Sequence, residues 1–168
     1  MLRTYQIGNY DSDFLIESKR QAVRGLVVTP DEKVLVMTYG KYDFSVLPGG
    51  GLGKGETFEQ AFRREILEET GYQCRWLSQL CQIEDYRKDE KLLQIHHGFV
   101  AGVSESKLVQ NLDEDEKSDK VYLELLTLEE LVKRFSVQQP HTEQQSLLRQ
   151  RDRIILQEAL TYLHQVRN

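Results

Sequence analysis

Several things are scarce in this chain of 168 residues, and each scarcity excludes something. There are two cysteines, Cys74 and Cys81. They stand in a sequence without an export signal and in no metal-site pattern, so both are expected as free, buried thiols. Positive charge is short: 22 Lys and Arg against 27 Asp and Glu leave a net charge of −5. That balance provides no electrostatic footprint for nucleic acid. No apolar run approaches a membrane-spanning length, and the opening stretch MLRTYQIGNYDSDF holds no signal-peptide core. A cytoplasmic location is the resulting expectation. Repeats and low-complexity linkers are absent too, so residues 1–168 are expected to form one domain with an adequate core.

What is present alternates between strand and helix patterns. Residues 21–28 and 33–39 are rich in β-branched and apolar side chains and are joined by Thr29-Pro30-Asp31-Glu32, a turn sequence. Residues 44–47 read as a short strand. Residues 74–86 and 92–103 read as two long strands separated by the polar residues 87–90. A further strand over 121–125 leads to Thr127, which is expected to cap a helix ending near Phe135. From about 143 to 165 the apolar positions Leu147, Leu148, Ile154, Ile155, Ala159, Tyr162 and Leu163 recur at helical spacing. This last helix could cover its own domain or mediate a homodimer. The pattern as a whole predicts an α/β chain with a mixed sheet between helices.

The densest chemistry lies in GGLGKGETFEQAFRREILEETGY, residues 50–72. Thr57 followed by Gln60 is a capping box, so a helix should begin at Phe58, and Gly71 can end it in the left-handed conformation. Within it Glu65, Glu68 and Glu69 stand at i, i+3 and i+4, which puts all three carboxylates on one face. Like charges at those spacings repel, and acids in the last turns oppose the helix dipole, each by a few tenths to about 1 kcal/mol. A solvated acidic face is the ordinary explanation for such a run. At about 100° per residue, however, Phe58, Ala61 and Phe62 share a side with Glu65 and Glu69, so the acids continue the inward stripe; Leu67, on the far side, does not fit. Inward acids need a counter-charge, and hard carboxylate oxygens suit Mg²⁺ or Mn²⁺. The preceding loop, residues 48–55, is not a P-loop, because Gly55 stands where Ser or Thr is required, and it fails G-x-G-x-x-G as well. Its glycines would permit close backbone approach to a metal or phosphate.

Read in order, Gly50, Glu56, Arg64, Glu65, Ile66, Glu68, Glu69 and Gly71 fit G-x5-E-x7-R-E-(aliphatic)-x-E-E-x-G. This resembles the signature of the Nudix hydrolases, with Tyr72 departing from the usual aliphatic residue at its end. The resemblance implies an α/β/α sandwich and a metal site made by Glu65, Glu68, Glu69 and the Gly50 carbonyl. Arg64 and Glu56 would form a supporting pair that orients those acids. It further implies attack of water on a small nucleotide-like substrate, a nucleoside diphosphate linked to another moiety, with Mg²⁺ or Mn²⁺ as cofactor. The base would be a box glutamate or an acid outside the box. Candidates outside are the run Asp113-Glu114-Asp115-Glu116-Lys117-Ser118-Asp119 and, more weakly, Glu84 and Asp85.

Arg24, a charge inside an apolar strand, would meet either a substrate phosphate or a buried acid. His96 and His97 are adjacent in a strand and must point to opposite faces, so one can line a pocket while the other packs. Substrate identity stays open: the proline marking ADP-ribose-type enzymes is missing between Pro48 and Pro140, and Tyr86 lies too close to the box to mark the dinucleoside-polyphosphate type. A non-catalytic nucleotide sensor on the same fold is the alternative, although such sensors tend to lose the box acids. An isoprenoid-diphosphate isomerase would need a cysteine upstream of Cys74, and there is none.

Overall fold

The computed structural model describes all residues except 1, 11, 12, 109, 112, 113 and 168. Its strands are β1 (Arg3–Gly8), β2 (Ser18–Val28), β3 (Val34–Tyr39), β4 (Phe44–Val46), β5 (Tyr72–Arg87), β6 (Leu92–Lys107) and β7 (Val121–Leu126). Its helices are α1 (Phe58–Thr70), α2 (Glu114–Ser118), α3 (Leu128–Val137) and α4 (Glu143–Arg167). The sheet runs β1-β5-β6-β2-β3-β4, with β7 on the other edge of β3. It is mixed: β1 is parallel to β5 and β2 to β6, while the remaining pairs are antiparallel.

Alternation along the strands sends side chains to two cores. On one face Val23, Val27, Phe99 and Ala101 meet Ala61, Phe62 and Ile66 of α1. On the other, Leu26, Ile83 and Val100 meet Leu131 and Phe135 of α3 and Ile155 and Ala159 of α4. Phe62 stacks on Phe99 with ring centroids 4.8 Å apart. Complete burial of side chains such as Phe62 and Ile66 contributes about 1.5–3 kcal/mol each. The α/β/α sandwich expected from the sequence is therefore the fold, and α4 covers its own sheet.

Local signals set the element ends. The Thr57 hydroxyl accepts from Gln60 N–H, the Gln60 side chain accepts from Thr57 N–H, and Gly71 closes α1 at φ 73°. Thr127 and Glu130 form the same reciprocal cap on α3. Two elements lie outside the sequence expectation. β1 buries only Ile7, so it carries no apolar alternation to read. α2 has five residues, too short for a periodic pattern. The free thiols expected at Cys74 and Cys81 are found, and burial pushes them up to about 11 and about 12.

One irregularity of the sheet positions the glycine loop. β2 and β3 pair only at Val28–Val34 and then diverge. The segment after β4 fills the gap beside β2: Gly25 N–H donates to Pro48 O (3.2 Å), Val23 N–H to Gly50 O (2.9 Å) and Leu52 N–H to Gln21 O (3.1 Å).

Candidate active site

α1 presents its acids against that loop. Glu69 is buried and Glu65 nearly so, with side chains 7% and 15% exposed, while Glu68 is 40% exposed toward solvent. The inward stripe predicted for Glu65 and Glu69 is realised. Leu67 is only half-buried, in keeping with its misfit on the helical wheel.

Arg64 is the hub. Its Nε and Nη2 grip both oxygens of Glu56 (2.7 and 2.9 Å), and its Nη1 donates to Glu65 (2.7 Å) and Glu68 (3.1 Å). Its Nη2 also reaches the Gly51 carbonyl at 3.0 Å. Hydrogen bonds from Arg64 and then from Gly53 N–H pull Glu56 down to about 2, whereas the Arg64 guanidinium is raised by its acids. Burial raises Glu65 above the usual carboxylate range despite the Arg64 contact. One guanidinium thus offsets the repulsion among box acids, with the planar fork that bidentate contacts require.

Glu69 is held differently. Gly49 N–H donates to its Oε2 at 2.7 Å, and Arg24 Nη1 lies 3.8 Å from its Oε1. Of the two roles open to Arg24, pairing with a buried acid is the one present, and it also donates to the Leu47 carbonyl at 3.2 Å. Its Nε is buried without a hydrogen-bond partner among the described residues. Gly50 packs against Glu65 so closely that a Cβ there would sit 2.4 Å from the carboxylate. The Gly50 carbonyl accepts from Val23 N–H, which leaves its second lone pair uncommitted by that bond.

Among the described residues, no three His, Cys, Asp or Glu side chains converge tightly enough to enclose an ion. The donor chemistry nonetheless fits Mg²⁺ or Mn²⁺: three glutamates on one helix face, a backbone carbonyl beside them, and a buried acid that gains from a cation.

For the acidic run before β7, Asp113 and the side chains of Asp115 and Glu116 lie outside the described residues. Glu114 engages Lys117 (2.8 Å) and Asp119 engages Lys41 (3.4 Å). The segment just before them grips the end of α1. Leu108 N–H donates to Gly71 O, the Gln110 amide to Glu69 O and Asn111 N–H to Glu68 O. No local pattern in the sequence announces that contact. Glu84 bonds Tyr86 and Gln6. Asp85 is enclosed beneath α4, held by Arg87 (2.9 Å) and facing His96 at 3.5 Å.

The two histidines do point apart. The His97 ring stacks on Phe58 of α1, with centroids 3.5 Å apart, and meets Gln79 and Gln21. His96 is buried on the α4 face among Asp85, Arg151 and Arg24. Burial holds it down at about 4, outweighing the opposing pull of Asp85, and the two arginines lower it further. It is thus neutral in the folded protein at pH 7, whereas in the unfolded chain it takes a proton near 6.5. Below that pH the unfolded state binds more protons, so stability is lost as pH falls from 6.5 toward 4, by up to roughly 3 kcal/mol. Asp85 adds a loss at lower pH: burial raises it, but Arg87 and the nearby His96 prevail and hold it below its ordinary value, so its share goes only as pH falls below about 4. The melting temperature should therefore drop between pH 7 and 4.5, and His96→Gln should flatten the slope. An unchanged slope in the variant would refute this assignment.

The NUDIX domain profile matches residues 18–148, and the chain belongs to the Nudix family. Among relatives, it is 34% identical over 122 residues to the methanol dehydrogenase activator of Bacillus methanolicus, covering 64% of this chain and 63% of that protein. The match thus spans under two thirds of the relative's length. Its fold is similar to that of the MutT Nudix hydrolase from Burkholderia pseudomallei, with TM-score 0.59, 20% identity and coverage of 84% and 98% of the two chains. A structure from work on MutT of Aliivibrio salmonicida and Vibrio cholerae is similar at TM-score 0.56 and 16% identity, covering 85% and 98%. At these identities the structural likenesses show the fold alone.

Proposed function

We propose that this protein is a metal-dependent hydrolase that cleaves a diphosphate linkage in a nucleoside diphosphate joined to another moiety. One observation carries the reading: Glu65, Glu68 and Glu69 are all present on one face, beside the Gly50 carbonyl, and held by Arg64 and Arg24. A bound Mg²⁺ or Mn²⁺ would supply charge neutralisation on the diphosphate and lower the pKa of water. Glu65, Glu68, Glu69 and the Gly50 carbonyl would hold it. Arg64, anchored bidentately on Glu56, orients Glu65 and Glu68. Glu68, the most exposed of the three acids, is best placed to take a proton from an incoming water, and Gly49 N–H keeps the Glu69 carboxylate fixed. Arg24, its side chain 17% exposed beside Glu69, is the cation assigned here to a phosphate oxygen.

A second reading, a protein that acts on another enzyme and uses the fold to sense a nucleotide, draws on the name of the B. methanolicus activator. The full set of box acids favours hydrolysis. A cleavage screen with Mg²⁺ and Mn²⁺ decides, its products resolved by chromatography because this hydrolysis yields phosphomonoesters or pyrophosphate and no free phosphate. It should span nucleoside triphosphates, nucleotide sugars, ADP-ribose, dinucleotides, dinucleoside polyphosphates and coenzyme A, with Glu69→Gln as blank. Cleavage by the wild type alone is expected and would name the substrate class. Silence across the panel with metal binding intact would favour the sensor.

A further inference from the structure

We propose that Asp152, on α4, is a positioning residue for the glycine loop and, through it, for Glu69. The inference rests on the hydrolase reading for its kinetic consequence, and on geometry for the rest. β4 pairs with β3 as far as Met37–Val46, so Leu47 is the first residue to leave the ladder. Its N–H has no strand partner there and donates instead to Asp152 Oδ2 at 2.9 Å. Asp152 is 1% exposed, and its Oδ1 accepts from Arg151 Nε at 2.7 Å. A carboxylate bonded to a backbone N–H in a buried setting makes a contact about twice as strong as a neutral pair.

Leu47 begins a short run in which consecutive residues bear on the box. Its carbonyl takes Arg24, the guanidinium 3.8 Å from Glu69. Pro48, which has no N–H, offers its carbonyl to Gly25. Gly49 N–H holds Glu69, and the Gly50 carbonyl sits beside Glu65. β2 fixes one side of this run. Asp152 fixes its start, from a helix 105 residues later in the chain. A shift of the Leu47 peptide would move Arg24 and the Gly49 N–H, both of which set the Glu69 carboxylate. Asp152 acts only through that peptide and touches no reacting group.

The test compares Asp152→Ala, Asp152→Asn and Asp152→Glu, with Ile7→Ala on the distant edge strand as a control that lowers stability alone. Readouts are Mn²⁺ affinity by calorimetry, the melting temperature, and kcat and KM on the substrate from the screen. Asp152→Ala is expected to weaken Mn²⁺ binding about 10-fold and to lower kcat 10- to 100-fold, with KM changed less than about threefold. Ile7→Ala should lower the melting temperature and leave both constants near wild type. The other two variants separate position from charge. Asn keeps an acceptor where Leu47 N–H needs one, whereas Glu keeps the charge facing Arg151 but moves the oxygens by a methylene. Positioning predicts Asn closer to wild type than Glu in both Mn²⁺ affinity and kcat, and this comparison holds even if the Ala variant fails to fold. The reverse order, or Mn²⁺ affinity in all three equal to that of Ile7→Ala, overturns the proposal. Because Mn²⁺ affinity is measured without turnover, a wild type that hydrolyses nothing refutes the hydrolase reading and leaves this inference decided.

Discussion

Glu69→Gln is expected to lower turnover at least about 100-fold while leaving the protein folded, as lost metal or base function does. Glutamine keeps the shape and an oxygen that can still accept from Gly49 N–H, at present 2.7 Å from Oε2. What disappears is one negative charge from the face proposed to hold the cation, together with the partner of Arg24. That ion pair is long, 3.8 Å, so its loss should cost only a modest part of the stability, a few degrees of melting temperature. Glu68→Gln should reduce turnover comparably with less effect on stability, because Glu68 is half-exposed and gives its carboxylate to Arg64 at the box surface. The check is kcat at saturating Mg²⁺ beside a thermal melt of each variant. Near-normal turnover in both would remove the proposed site, and a collapse of the fold in Glu69→Gln would make the carboxylate structural.

Gly49→Ala is expected to be the most damaging single methyl group in the molecule. Gly49 has φ +138°, a conformation that side chains rarely adopt. A Cβ there would lie 2.1 Å from the Val23 carbonyl oxygen and 2.9 Å from the Arg24 Cα. Both belong to β2, an interior strand that cannot retreat without breaking its pairing with β6. Strain and clash together should cost about 3 kcal/mol or more, a fall of roughly 6–12 °C in melting temperature for a chain of this size. Any protein that folds should also turn over poorly, since the same shift carries away the N–H that holds Glu69. Gly51→Ala is the built-in contrast. Among the described residues, no heavy atom beyond the chain neighbours lies within 4 Å of a Cβ at that position, so its stability should stay within about 0.5 kcal/mol of wild type. Equal melting temperatures for the two variants would contradict the close approach of the loop to β2.

The box helix and its acids were legible because their determinants are local. Caps act within three residues, the i, i+3 and i+4 spacing fixes a shared face, and Gly71 ends the helix by its own conformational freedom. The strands with strong apolar patterns were legible for the same reason. β1 was not, because a strand at the sheet edge with one buried residue has nothing periodic to show. The role of Arg24 stayed two-valued, because a charge in an apolar strand announces that it has a partner without saying which. Nor could the acidic run before β7 be narrowed from spacing; the tie between its approach and the end of α1 rests on backbone groups that every residue carries.

By itself, then, the sequence determined the family, the helix that displays Glu65, Glu68 and Glu69, and the layered α/β character of the fold. Only the tertiary structure decided that Glu69 is set by Gly49 and Arg24 and that Asp152 anchors Leu47 from across the sheet. The physical reason is range. A hydrogen bond between residues four apart follows from the helix repeat, whereas one between residues 105 apart exists only once both faces of the sheet have packed and brought the two groups within 2.9 Å.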